Sequence, residues 1–330
     1  MDTTVISIDE VKSLCLAALQ RKGALPHEAD IVFDDYLDAE LRGRASHGFS
    51  SFAVALAAFP HEGSYAVSKH SGSVIAIEGN GDCGHVVARE AIDLALEQLG
   101  ESKTCTIGIG HITRFNCPGS IARYAAVRGA IAIVFEYGGA NFMIPHGGTR
   151  EALSTNPLGI AIPGTDPLFV LDFATSQRAF GYVSLAKLAQ QEIPATWGVD
   201  GTGKPTTDPN QLAAVSPFGG YKGYALALAF EILSGALVQV PIGQQGQLST
   251  RGALLVLFDP TIFGHSIQSF TEQVSGFLQE LDEVPASDVT VPVSYPGQRG
   301  EERFRQALKS GEISLHLSLI EQLRDFAKGS

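Results

Sequence analysis

A chain of 330 residues that is 45% hydrophobic and 18% charged carries enough apolar material for a large core, which excludes an intrinsically disordered protein. Its formal charge of −12, with no basic run, excludes binding to nucleic-acid phosphates, because that affinity comes from clustered Lys and Arg. Cys15, Cys83, Cys105 and Cys117 lie far apart without a Cys-x-x-Cys pair, which argues against a disulfide framework or a zinc knuckle.

Ser7 and Glu10 stand at capping-box spacing, and Val11, Leu14, Cys15, Ala18 and Leu19 recur at helical intervals until Gly23. A second helix is expected from Pro26 through Ala29, Val32, Phe33, Tyr36, Leu37 and Leu41, ending at Gly43. Ser46-His47-Gly48 then falls in a turn before another apolar helical segment that ends near Pro60. From Ser73 the pattern changes to short apolar runs bounded by Gly or Pro, at 74–77, 104–107, 130–135, 159–162 and 168–171, which read as buried strands. Helical stretches at 85–99 and 120–128 separate several of them, so the fold class is α/β. A long apolar helix at 224–238 precedes a Gln- and Gly-rich loop at 240–249 and a strand at 254–258. The tail from Phe270 is helical and polar-faced, and is expected to return onto the N-terminal helices. Residues 1–72 and 269–330 would then form one discontinuous helical domain around a sheet domain of residues 73–268. No basic-then-apolar leader opens the chain and no run approaches ~18 uninterrupted apolar residues, so the expectation is a cytoplasmic protein with no membrane partner.

Three segments carry the chemistry: 154–163, Asp172-Phe173-Ala174-Thr175-Ser176, and Gly219-Gly220-Tyr221-Lys222-Gly223-Tyr224. Each places small residues, hydroxyls and backbone amides at strand ends or at the start of an apolar helix, where an anionic or dinucleotide ligand is held. Lys222 there would hold a phosphate, or is a solvated cation beside turn glycines. Thr155, Asn156, Thr175 and Ser176 are equally turn and cap types when taken singly. Gly79-Asn80-Gly81-Asp82-Cys83-Gly84 matches the Gly-x-Gly-x-x-Gly spacing of a dinucleotide turn, but no acidic residue ends the following strand, so an ordinary Gly-rich connection is favoured. His47 near its ordinary acidity would deliver a proton at neutral pH to a carbonyl or imine receiving hydride, with Ser46 orienting it. The remaining histidines, His61 among them, have no metal-ligand spacing, and no metal is expected.

Ser46-His47-Gly48, residues 154–163, residues 172–176, Ile193-Pro194 with Trp197 and Asp200, residues 219–224 and Tyr295-Pro296-Gly297 together resemble the malate/L-lactate dehydrogenase family of NAD(P)-dependent oxidoreductases. That family is distinct from the Rossmann-type dehydrogenases and includes piperideine- and pyrroline-2-carboxylate reductases and ureidoglycolate and diketogulonate-type dehydrogenases. The resemblance spans almost the whole chain. It implies a homodimer, a helical domain, and a non-Rossmann NAD(P)-binding domain on a mixed, largely antiparallel sheet. It also implies His47 as proton donor beside Ser46, with NAD or NADP contacted by Thr155, Asn156, Asp172, Phe173, Ala174, Thr175, Ser176, Lys222, Gln298, Arg299 and Gly300. Three positions depart from the family pattern. Ser51 stands where an Arg usually pairs with the substrate carboxylate, Arg114 stands where the family has His, and Tyr182 stands where some imine-reducing members have an Asp that completes a relay with Ser and His, so that its phenol would be a catalytic hydrogen-bond donor or else a hydrophobic contact. Arg114 or Arg44 would take over anion binding, and the altered clamp points to a specialised cyclic imino acid or 2-oxo acid. The alternatives are a malate/lactate-type 2-hydroxy acid dehydrogenase and a catalytically silent dinucleotide-binding relative.

Overall fold

The computed structural model describes residues 3–59, 64–166, 168–288 and 290–329. His61 and the helix end expected near Pro60 lie outside them. Strand β1 (Thr3–Ser7) leads into α1 (Ile8–Arg21), where the Ser7 hydroxyl accepts the Glu10 amide at 3.1 Å, and then α2 (Pro26–Leu41), which opens on a proline whose missing N–H costs nothing at that position. A single-turn helix at Phe49–Ser51 runs into α3 (Phe52–Leu56). There follow β2 (Ala66–Ser71), β3 (Val74–Glu78), α4 (Gly84–Ser102), β4 (Thr104–Ile112), α5 (Pro118–Ala126), β5 (Ile131–Tyr137), β6 (Leu158–Ile162), β7 (Phe169–Phe173) and α6 (Phe180–Ala189). The chain closes with β8 (Gly198–Asp200), β9 (Leu212–Val215), α7 (Tyr221–Ser234), β10 (Arg251–Phe258), α8 (Ile267–Asp282), α9 (Gln298–Ser310), β11 (Glu312–His316) and α10 (Leu317–Lys328).

Seven strands form the main sheet in the order β2-β3-β4-β10-β5-β6-β7, antiparallel throughout except for β3 beside β4. The parallel pair is what the α4 crossover demands, and the rest gives the mixed, largely antiparallel α/β architecture expected. One sheet face is covered by α4 and α5 through Ile92, Ala95, Ile121 and Ala125 against Ile107, Val134 and Leu255. The opposite face receives α7, whose Phe230 ring lies 5.0 Å from that of Phe135. Residues Tyr221–Val238 have the length and hydropathy of a membrane span, but Lys222 and Glu231 interrupt them and Ala227, Phe230, Glu231 and Ser234 are buried in the fold.

The two chain ends meet. β1 pairs antiparallel with β11, and α10 shares a core with α1, α2 and the 49–59 segment through Leu19, Phe33, Phe49, Ile320 and Leu323. The sheet begins at β2, ahead of residue 73. A smaller cluster of Met143, Leu153, Val183, Ile193, Leu212, Val215 and Ala227 joins α6 and the β8–β9 hairpin into a lobe beside the sheet. The Gly79–Gly84 segment is the β3–α4 connection, and its glycines answer to packing: a Cβ at Gly79 would collide with Ile112 and one at Gly84 with the Thr113 carbonyl.

Candidate active site

A cleft of about 640 Å³ opens where the turn after α2, the ends of β5, β7 and β10, and the start of α6 converge. Of the residues expected to act, Arg44, Ser46, His47, Ser51, Arg114, Thr155, Asp172, Phe173, Ala174, Ser176 and Tyr182 all line it. His47 sits in a turn closed by its own amide and that of Gly48 on the Arg44 carbonyl, at 2.8 and 3.0 Å. Its Nδ1 lies 2.9 Å from the Ser46 hydroxyl, and the Asn116 amide donates to its carbonyl at 2.6 Å. Gly181 of α6 lies so close that a Cβ there would stand 2.8 Å from that of Ser46, so this glycine lets the lobe seat directly on the His47 turn. Tyr182 lies beneath the Arg178 guanidinium, 3.7 Å from its ring centre, a cation–π contact at the rim.

The electrostatics differ from the sequence expectation at one point. His47 is not near its ordinary acidity: burial first, then the charges of Arg114, Arg44 and Arg251, lower it to about 3. The imidazole is therefore neutral in the ligand-free cleft. Arg44 is committed to Asp172 by an ion pair at 2.7 Å, and burial pushes Asp172 upward against that cation's pull. The Ser51 hydroxyl is spent on the Gly48 carbonyl at 3.1 Å. Arg114 has no ion pair or hydrogen bond among the described residues.

The other expected residues take different places. Asn156 is fully buried, its amide donating to the Ala227 carbonyl at 3.0 Å and to Glu231 at 2.9 Å. Thr175 is equally buried, with its hydroxyl and amide both on the Thr155 carbonyl. Lys222 is exposed in the first turn of α7, outside the cleft wall, though its segment is anchored by the Phe218 amide on the Thr175 carbonyl at 3.0 Å. Gln298, Arg299 and Gly300 open α9 away from the cleft, with Gln298 donating to Asp282 and Arg299 to the Pro292 carbonyl. Their turn is fixed beside β7 by the Val170 amide on the Pro296 carbonyl at 3.1 Å.

Sequence reasoning missed Glu136 and Arg251, which face each other in the cleft at 3.3 Å. Burial raises Glu136 to about 7, opposed by Arg251 and Arg114, and burial lowers Arg251. The available signal was the apolar run at 130–135: continuing its alternation by one step puts a carboxylate on the core face of β5. Asn116 was also missed, and Ser154 is singled out only as the first residue of the 154–163 segment; each keeps a buried oxygen without a partner, Oδ1 and Oγ respectively. Two orphaned polar atoms in one cleft suit a ligand amide such as the nicotinamide carboxamide, so the residues present fit a dinucleotide. Among the described residues no group of three or more His, Cys, Asp or Glu is placed to hold a metal ion.

A neutral imidazole held by a serine, an unpaired guanidinium and orphaned polar groups converge in one cleft, as in an enzyme site for a small organic acid. The chain belongs to the malate/L-lactate dehydrogenase family, whose model matches residues 6–324, and is accordingly an oxidoreductase. It is 32% identical to the malate/(S)-sulfolactate dehydrogenase of Methanothermus fervidus, over 98% of this chain and 97% of that protein. It is 31% identical to the (2R)-3-sulfolactate dehydrogenase (NADP(+)) of Chromohalobacter salexigens, over 98% of both. A crystal structure of a dehydrogenase from Sinorhizobium meliloti superposes with a TM-score of 0.88 at 29% identity, covering 99% of this chain and 98% of that one.

Proposed function

We propose that this protein is an NAD(P)-dependent reductase of a C=O or C=N group adjacent to a carboxylate, with His47 exchanging the proton and Arg114 holding the carboxylate. The observation that carries it is the convergence of the Ser46–His47 pair and the uncommitted Arg114 in one cleft. NAD or NADP, when bound, supplies or accepts the hydride. Ser154 and Asn116 would hold its carboxamide, while the exposed Lys222 at the opening of α7 would offer a cation to its phosphates. His47 gives a proton to the heteroatom during reduction and takes one during oxidation, and Ser46 at its Nδ1 orients the ring so that Nε2 faces the reacting atom. Because Arg114 is one of the charges that oppose imidazole protonation, a carboxylate bound on it lets His47 take up a proton together with the substrate. Asp172 keeps Arg44 from competing for that carboxylate.

Pyruvate, oxaloacetate and piperideine-2-carboxylate, assayed with NADH and NADPH, separate ketone from imine reduction. Dinucleotide binding without turnover of any of them would support the silent relative instead. With the substrate that is turned over, Arg114→Gln should raise KM by about 10- to 100-fold, the worth of a charge-assisted hydrogen bond. An unchanged KM removes Arg114 from the clamp.

The same reading includes a homodimer. Tyr221, Leu228 and Ile232 are exposed along one face of α7, and Leu237 in the turn after it, an apolar stripe suited to a second copy of the chain. Light scattering should read twice the 34.9 kDa chain mass, and a monomer would refute this. All four cysteines are buried and free, which suits a reducing cytoplasm.

A further inference from the structure

We infer that Glu136 and Arg251 make the cleft selective for a substrate with a single anionic group, whose remaining polar substituent is neutral and both donates and accepts hydrogen bonds, as a carboxamide does. This rests on the reductase reading above and narrows it. Apart from Arg178, the cleft wall carries three cations, the half-buried Arg44 and Arg114 and the more deeply set Arg251, against two carboxylates, Asp172 and Glu136. Arg44 is matched by Asp172 at 2.7 Å and Arg251 by Glu136 at 3.3 Å, and His47 is neutral. One cation is left over, enough for one carboxylate. Arg178 also lines the cleft, but at its exposed rim, stacked on Tyr182 and screened by water. A malate- or sulfolactate-like acid brings two anionic groups, and the second would lie against Glu136.

The pair is also open. A single N–H joins Arg251 to one Glu136 oxygen where a fork would give two bonds, and the buried Arg251 Nε has no partner. A donor and an acceptor therefore stand side by side, which a carboxamide meets with its C=O toward the guanidinium and its N–H toward the carboxylate. The backbone builds this arrangement. Glu136 pairs across the sheet with Ala253, and a bulge between Arg251 and Ala253 breaks the register, which redirects the Arg251 side chain. Arg251 on β10, Arg114 after β4 and Asp172 on β7 are the charged groups acting on Glu136, and burial among them raises it to about 7. Below that pH Glu136 loses its charge, a second wall cation is freed, and discrimination against a dianion weakens.

Oxaloacetate and its β-carboxamide, 2-oxosuccinamate, are nearly isosteric and test this directly through kcat/KM. At pH 8 the native enzyme should favour the amide, and Glu136→Gln should raise the oxaloacetate-to-amide ratio by about tenfold or more, since a full like charge is removed. A native preference for oxaloacetate, or an unchanged ratio in Glu136→Gln, overturns the inference. If that variant does not fold by its thermal melt, the native enzyme still decides: the amide preference should shrink between pH 8 and pH 6, and a constant ratio refutes it. Where only the cyclic imino acid is turned over, the same ratio is read from competitive inhibition by the two ketones. Absence of turnover across the whole panel counts against the reductase reading, whereas turnover with a fixed ratio counts against this inference alone.

Discussion

Replacing His47 by Asn is expected to lower kcat by about 10²–10⁴-fold, the usual contribution of a positioned proton-transfer group, while reduced dinucleotide still binds. The pH profile makes the prediction sharper. The free-enzyme imidazole has its acidity lowered to about 3 by burial and by Arg114, Arg44 and Arg251. In the oxidative direction the required form is neutral and already present, so kcat/KM should show no loss from His47 on acidification through pH 8 to 5. In the reductive direction the required form is the imidazolium, whose free-enzyme fraction falls tenfold for each pH unit above that value. The reductive kcat/KM should therefore decline steadily with rising pH over the same range, and the decline should vanish in His47→Asn. Full activity in that variant, or a reductive profile that is level to pH 6 and breaks only near 6.5, would remove His47 from the proposed role.

The elements that were legible are those with local periodicity. Val11, Cys15, Ala18 and Leu19 announce α1, and the apolar runs announce β3 to β7, because burial on one helical stripe or one sheet face leaves a short-range mark. β1 and β11 left almost none. Ile6 is the buried residue of the first, Ile313 and Leu315 those of the second, and the partner strands stand at opposite ends of the chain. The site divides along the same line. His47 lies in a compact motif whose chemistry can be read in place, whereas Arg114 stands out only against the family pattern, as an Arg where that pattern has His. The alternation of β5 marks Glu136 as a buried carboxylate, but its pairing with Arg251 arises only when β10 inserts between β4 and β5, which no local pattern dictates. The commitment of Arg44 to Asp172 is likewise tertiary, and it separates two arginines that looked interchangeable as anion ligands.

Glu231 is expected to be the most costly single deletion outside the cleft. It is 2% exposed in the middle of α7, and its carboxylate accepts three N–H groups: the Ser154 amide at 3.1 Å, the Asn156 side chain at 2.9 Å and the Gly243 amide at 3.2 Å. The first two flank Thr155 in the cleft wall, and the third fixes the loop that delivers Arg251 to β10. Glu231→Ala leaves the Ser154 and Gly243 amides without an acceptor and takes from the buried Asn156 side chain one of its two, keeping the Ala227 carbonyl, for a loss of about 3–5 kcal/mol read from the urea midpoint. Glu231→Gln keeps one acceptor oxygen and turns an amide nitrogen toward the other donors, so its loss should be smaller, about 1–3 kcal/mol. Its KM for the dinucleotide should rise by more than its KM for the acid substrate, because the Ser154–Asn156 segment is displaced while Arg114 is untouched. A Glu231→Ala protein that unfolds at the native midpoint would show that α7 is held by its apolar face alone and that the cleft wall does not depend on this carboxylate.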